Sequence, residues 1–274
     1  MQDKIIRVFP NRTSYTPNDN YVCIGSPSLF IPEHKEIHIS IIFTWDIQKG
    51  LELQKEWQSV TDKPVLTDGP AFNNLGDEFI PGKYCKNGIT ITSRGCPNNC
   101  KYCFVPGREG KIRELEIKQG KIIQDNNILA CSKSHIQKVF EMLKKQNSIE
   151  FKGGLEPGRM NKLIAEDLRG LRIKSLWLAC DTKNQVKALS KAVQILQDAG
   201  FSRNHLRCYV LIGDDFEENL NRLIEVYKIG CLPFAQLYQP EEKIDYSQDW
   251  KDFCRTWSRP AAYKTYLKEN GIIK

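Results

Sequence analysis

Three cysteines stand at intervals of four and three residues in Ser93-Arg94-Gly95-Cys96-Pro97-Asn98-Asn99-Cys100-Lys101-Tyr102-Cys103-Phe104. Three thiols this close are candidate metal ligands. A 4Fe–4S cluster is normally held by four protein thiolates, so a compact set of three leaves one iron open for chemistry. A structural zinc site instead wants four closed ligands, usually two Cys pairs or a Cys pair with a His pair. The nearest spare thiols are Cys85 upstream and Cys131 downstream, and neither extends the set at such spacing. A zinc knuckle and three incidental cysteines in a loop are the alternatives. Gly95 and Pro97 suit a backbone that must wrap tightly.

The C-x3-C-x2-C spacing of Cys96, Cys100 and Cys103, with Tyr102 just before the third cysteine, resembles the signature of the radical SAM superfamily. The resemblance implies a 4Fe–4S cluster whose open iron chelates the amino and carboxylate groups of S-adenosylmethionine. One electron then cleaves the sulfonium, and a 5'-deoxyadenosyl radical abstracts a substrate hydrogen. It also implies a low-potential electron donor such as flavodoxin or ferredoxin. The cofactor supplies the hard step and the protein positions it.

The elements that would hold such a loop alternate strand and helix. Gly88–Thr92 reads as a first core strand entering the loop. Asn127–Ala130 reads as a second, followed by a helix capped by Ser134. Ile149–Lys152 is a third and Lys174–Ala179 a fourth, with a helix over 184–199 closed by Gly200. Leu206–Ile212 is a fifth, with a helix from Phe216 to Lys228, and Pro233–Leu237 is a sixth. The pattern predicts an α/β protein with a partial (βα)6 TIM-type barrel over residues 88–240. Such barrels carry their working groups at the carboxyl ends of the strands.

At those ends the resemblance nominates residues. Gly153-Gly154-Leu155-Glu156 is similar to a Gly-Gly-Glu stretch that receives the methionyl ammonium, although Leu155 intervenes before the carboxylate. Glycines let the backbone come close, and a plain glycine turn is the alternative. Asp181 or Thr182 would face the ribose, or else cap the next helix. Gly213 matches the segment that supports the adenine, and Tyr102 would add an adenine contact. Gln236, Tyr238 and Gln239 are candidates for substrate. Arg108, Arg113 and Arg159 could grip an anionic group, or pair at the surface with Glu109, Glu114 or Glu116.

Residues 1–87 read as a small Rossmann-like α/β unit. Tyr21–Gly25 and Ile37–Trp45 look like strands, Asp46 a cap for a helix over 47–59, and Pro64–Thr67 a further strand. Strand, helix, strand implies a parallel crossover. The order is similar to the shortened region that precedes the core in cobalamin-dependent radical SAM enzymes, with Asp68-Gly69-Pro70 in place of a Gly-Gly-Pro turn. The chain has no Asp-x-His-x-x-Gly sequence to ligate cobalt, and His34 and His38 read as structural or surface residues, so the reading leans against cobalamin. Glu109–Leu115, Asp125–Ala130, Cys208–Gly213 and Pro233–Ala235 resemble a radical SAM group of phage, prophage and bacterial genomes whose reaction is unassigned.

Residues 241–274 predict a short helical extension whose Trp250, Phe253 and Trp257 fall at helical intervals, with Tyr246, Tyr263 and Tyr266 nearby. The aromatic stripe would pack over the open side of the barrel; a base-stacking platform flanked by Arg255, Arg259 and Lys264 is the alternative.

The chain has 274 residues, 41% hydrophobic, with 40 basic against 33 acidic residues and a net charge of +7. It has no apolar run of the roughly 18 residues a membrane span requires, and its start lacks a basic region followed by an apolar stretch. Of ten cysteines only three cluster, which argues against a disulfide framework and for a cytoplasmic metalloprotein. The dispersed positive charge weakly favours a nucleotide or nucleic acid as substrate; a peptide or small metabolite is the rival, and a nonenzymatic iron–sulfur or zinc protein is the other class.

Overall fold

A computed structural model describes residues 4–74 and 78–273. The chain divides into two compact units, Met1–Thr90 with Glu241–Lys243, and Ile91–Pro240 with Ile244–Lys274. Both are mixed α/β with parallel sheets.

The smaller unit contains β1 (Ile5–Phe9), β2 (Val22–Ile24), β3 (Glu36–Ser40), α1 (Ile47–Gln58) and β4 (Val65–Asp68). The strands lie in the order β2-β1-β3-β4, and every neighbouring pair is parallel. Ile6 and Val8 join Ile37, Ile39, Leu53 and Trp57 in its core. The fully buried β1 was not among the expected strands. Its apolar run is broken by Arg7, which is itself buried because its guanidinium donates to Gly82 O at 3.0 Å and Lys83 O at 2.8 Å and pairs with Asp19.

Two expectations here need correction. The strand read through Trp45 stops at Ser40, since β1 ends at Phe9 and β4 at Asp68; Thr44–Asp46 forms a 3-10 turn instead. Asp46 does not cap α1 through its side chain, which accepts from Asn11 Nδ2 at 3.1 Å.

The chain leaves that unit along β5 (Ile89–Thr90). β6 (Ser93–Arg94) and β7 (Arg113–Glu114) then pair antiparallel, and the cysteine loop and the short α2 (Val105–Arg108) lie between them in sequence. After them come β8 (Ile122–Ile123), α3 (Lys133–Lys144), β9 (Ile149–Leu155), α4 (Lys162–Arg169), β10 (Ile173–Ala179), α5 (Val186–Asp198), β11 (Leu206–Ile212), α6 (Phe216–Ile229) and β12 (Leu232–Leu237), then α7 (Gln248–Trp257) and α8 (Pro260–Glu269). The sheet order is β12-β11-β10-β9-β8-β5, with β8 to β12 mutually parallel.

The second core strand is Ile122–Ile123, not Asn127–Ala130, where Ile128–Ala130 forms a 3-10 turn. The side chains of Asp125 and Asn126 accept hydrogen bonds from Thr92, Ser93 and Gly95, which pulls this segment away from an extended ladder. α3 is capped by Ser132 rather than Ser134, its hydroxyl accepting from His135 N at 3.2 Å. α4 was not expected, and it starts where Asn161 accepts from Ile164 N.

Trp257, Tyr263 and Leu267 are buried with the core of this unit, while Trp250 stacks on Phe216 with ring centroids 3.8 Å apart. Trp257 and Tyr263 are thus packing residues and leave no base-stacking platform at those two positions. No helix among the described residues is long and apolar enough to cross a membrane.

Candidate functional site

The approach to the cysteine loop is fixed by a buried carboxylate. Asp125, 1% exposed, accepts from Thr92 N at 2.7 Å, Thr92 Oγ1 at 2.6 Å and Ser93 Oγ at 2.7 Å. Burial pushes its carboxyl up, opposed by these same donors. His135 stands 3.4 Å from Thr92 Oγ1 and 3.7 Å from a Glu114 oxygen. The backbone just before the loop is therefore tied to the carboxyl end of β8.

The loop itself is clasped from its return path. Gly95 N donates to Glu109 Oε2 and to Asn126 Oδ1, each at 3.2 Å, and Cys96 N donates to Gly110 O at 3.0 Å. Arg94 lies 3.7 Å from Glu109, and its Nε is buried without a partner. Cys103 N donates to Cys100 O at 3.1 Å, so the second and third cysteines share one turn.

Cys96 is half-buried, and Cys100 and Cys103 are exposed. Partial burial pushes the thiols of Cys100 and Cys103 up, and negative charge at Cys96 and Asp181 pushes both further; Glu156 adds to this at Cys100 and Glu109 at Cys103. The three cysteines thus share one patch with carboxylates from the ends of β9 and β10.

Asn127 joins the loop to that patch. Its Nδ2 donates to Glu156 Oε2 at 2.6 Å and to Cys96 Sγ at 3.4 Å, and its Oδ1 is buried without a partner among the described residues. Burial alone would raise the Glu156 carboxyl, but hydrogen bonds from Asn127, Arg159 and Asn98 hold it below the usual range. Arg159 Nε donates to it at 2.6 Å.

The two glycines ahead of Glu156 differ. A Cβ at Gly153 would lie 2.0 Å from Asp125 O, so this residue lets the segment after β8 cross against β9. Gly154 has φ +103°, and a Cβ there would meet nothing within 4 Å. Only Gly154 faces open space in a conformation that side chains avoid.

Asp181 is pushed up by burial; its Oδ1 accepts from Leu211 N at 3.1 Å, and Arg222 opposes the shift. Thr182 sits at the N-terminal cap of the turn before α5, where Gln185 Oε1 accepts from Asp181 N at 2.6 Å and Thr182 N at 3.0 Å. Of the two ribose candidates, Thr182 is accounted for by helix capping. At Gly213 a Cβ would lie 2.4 Å from the Tyr246 hydroxyl, so this glycine is accounted for by a close approach within the chain. Tyr246 in turn donates to Tyr238 O at 2.8 Å. Tyr102 packs edge-on against Tyr238 with centroids 5.1 Å apart, and Lys101 Nζ lies 5.1 Å from its ring centre.

The acidic residues named as possible partners of the arginines have other contacts. Glu109 faces Arg94, Glu114 accepts from Ser132 N at 2.6 Å, and Glu116 pairs with Lys118 at 2.7 Å. Arg159 pairs with Glu156, and Arg108 lies over the Phe104 ring at 4.6 Å. Asn127, Asn98 and Asp125 were not nominated as site residues. Asp125 and Asn127 carry one sequence signal, a polar run directly after the short apolar strand Ile122–Ile123, and Asn98 lies within the cysteine loop itself.

Among the described residues no three His, Cys, Asp or Glu side chains converge as ligands of a single metal ion. A cluster spreads its thiolates wider than one ion does, and three thiols on one loop, two of them exposed on a shared turn, suit such a group. The orphaned Asn127 Oδ1 and the open face of Gly154 also fit a ligand bound beside them. The Glu156 carboxylate, held below its usual range, suits a bound cationic group. In comparisons with known proteins, no family profile matches the chain, and no curated protein does.

Proposed function

We propose that this chain is a radical SAM enzyme in which Cys96, Cys100 and Cys103 hold a 4Fe–4S cluster and S-adenosylmethionine binds beside it. The observation that carries the reading is the meeting of the cysteine loop with Glu156 through Asn127, next to the open Gly154. A cluster held by these three cysteines would supply the one electron that breaks the sulfonium S–C5' bond, releasing methionine and a 5'-deoxyadenosyl radical that takes a hydrogen from the substrate.

The strand order supports a partial (βα)6 barrel preceded by a Rossmann-like unit. β8 to β12 follow one another in chain order, all parallel, without the reversal of a doubly wound sheet. The candidate residues lie at the carboxyl ends of its strands. Glu156, kept ionised by Asn127 and Arg159, is suited to accept from an ammonium group. The Gly154 backbone lets a ligand approach. Asp181, held by Leu211 N, would accept from a ribose hydroxyl. Tyr102, braced by Tyr238, offers an aromatic face or edge to a base.

Cobalamin has no assigned place. His34 is bonded to Pro32 O and Thr61, and His38 to Tyr84 with Glu36 at 3.2 Å. The electron donor would be a flavodoxin or ferredoxin. The net charge of +7 supports a nucleotide or nucleic acid as substrate over a peptide or small metabolite.

Anaerobic reconstitution with iron and sulfide, dithionite reduction and an assay for 5'-deoxyadenosine test the reading. The product should form with the wild type and vanish with Cys96→Ala, Cys100→Ala and Cys103→Ala. Addition of nucleotide, nucleic-acid or peptide pools should stimulate its release with the true substrate class. A zinc-loaded protein, or a cluster that never cleaves S-adenosylmethionine, would overturn the proposal in favour of a binding or electron-transfer role.

A further inference from the structure

We infer that Asn127 raises the reduction potential of the group held through Cys96, and that Glu156 determines which end of the Asn127 amide faces the sulfur; this rests on the reading of the three cysteines as cluster ligands.

Asn127 is 3% exposed, on the segment that connects β8 to the turn at Ile128–Ala130. Its amide has a donor end and an acceptor end, and the two could exchange by rotation about the last side-chain bond. Glu156 removes that freedom. An ionised carboxylate only accepts, and Glu156 is held ionised below the usual carboxylate range by three hydrogen bonds. The NH2 end of Asn127 must therefore face it, as the 2.6 Å contact between Nδ2 and Oε2 has it.

That choice delivers the second Nδ2 proton toward Cys96 Sγ at 3.4 Å. It also strands Oδ1, which is buried with no partner among the described residues. An unpartnered buried acceptor is uncommon and carries a desolvation cost. The donor arrangement is thus maintained against that cost by the two acceptors this amide faces, Cys96 Sγ at 3.4 Å and, at the shorter 2.6 Å, Glu156 Oε2.

An N–H directed at a ligating sulfur stabilises negative charge spread onto it. The reduced form carries one more electron than the oxidised form, so the bond favours reduction, and hydrogen bonds to sulfur are one of the recognised controls on cluster potential. The couple is a single electron from a low-potential donor, and no bond or proton changes place at Asn127. Cys100 and Cys103 are exposed, so Cys96 is the thiol best shielded from water and the one where a single donor matters most. Asn127 is in this sense a tuning and positioning residue that touches a ligand, not a reacting group.

The test uses the full chain, reconstituted anaerobically, with iron counted and the midpoint potential read by EPR during a reductive titration without S-adenosylmethionine. Asn127→Leu keeps the size and removes the donor. Asn127→Ala removes the donor together with the side-chain bulk. Both midpoints should move to more negative potential, while iron per chain matches the wild type. The exchangeable-proton coupling seen by ENDOR after transfer to deuterated buffer should weaken in both. A variant with full iron and the wild-type midpoint overturns the inference. So does loss of iron from both variants, because a tuning residue is not required for ligation. Absence of a cluster in the wild type would instead overturn the reading on which the inference rests, and the inference with it.

Discussion

Replacing Asp125 by Ala should detach the cysteine loop from the sheet that supports it. The carboxylate accepts from one backbone donor, Thr92 N, and from two hydroxyls, Thr92 Oγ1 and Ser93 Oγ, all on residues with no exposure. The backbone N–H cannot turn away, and leaving it buried and unpaired costs about 1–3 kcal/mol. The hydroxyls can rotate, Thr92 Oγ1 toward His135 Nε2 at 3.4 Å, and each loses about 1 kcal/mol. Burial pushes the Asp125 carboxyl up, so removing it also removes a desolvation cost that offsets part of the loss. The net expectation is about 3 kcal/mol. For a chain of this size that is a fall in Tm of about 6–12 °C, followed by circular dichroism on the metal-free protein. Asp125→Asn keeps one acceptor oxygen for Thr92 N and should fall between Ala and wild type. Iron bound per chain after reconstitution should fall in the same order, since Thr92 and Ser93 lead directly to Cys96. An Asp125→Ala protein melting within about 2 °C of wild type would refute the reasoning, because the three donors would then have found other partners.

Neighbouring glycines should respond differently to the same change. In Gly153→Ala the new Cβ would lie 2.0 Å from Asp125 O, and the backbone shift should cost about 1–3 kcal/mol and lower iron content along with Tm. Gly154→Ala meets no atom within 4 Å, so only its left-handed backbone is strained, by about 1–2 kcal/mol, and the metal-free protein should keep its fold while affinity for S-adenosylmethionine falls. Equal effects on affinity from both variants, measured by equilibrium binding, would refute that division. Glu150 supplies a pH test. Burial alone would raise its carboxyl, but Lys174 at 3.0 Å, Lys152 at 3.6 Å and Ser175 at 3.2 Å hold it below its usual value. A depressed carboxyl contributes stability that is present above its unfolded pKa and lost as pH falls through the folded one. The advantage of wild type over Glu150→Gln in urea unfolding should therefore be largest at neutral pH and shrink below about pH 5; a pH-independent difference would count against it.

Much of the architecture was legible because burial repeats along the chain. Leu206–Ile212 was read with its exact ends, and Lys174–Ala179 and Pro233–Leu237 within one residue. Each is a short, mainly apolar segment, and Leu206–Ile212 alternates buried and half-buried residues as a strand with one face in the core requires. Readings failed where side chains compete with the backbone. Asp125, Asn126 and Asn127 spend their polar groups on the cysteine loop and on Glu156, so the apolar Ile128–Ala130 that follows forms a turn and not a strand. Arg7 hid β1 because a charged residue in a short run looks like a surface position; its carbonyl partners at Gly82 and Lys83 are more than 70 residues away along the chain.

The parallel α/β class, the strands from Lys174 onward and the spacing of three thiols were readable along the chain, since each follows from residues close together in it. Only the tertiary structure decided that Gly153 is a crossing point and Gly154 an open face, that Tyr246 occupies the approach to Gly213, and that Asn127 stands between Cys96 and Glu156. These depend on which segments fold against one another, and a hydrogen bond between residues about 30 positions apart leaves no periodicity to read.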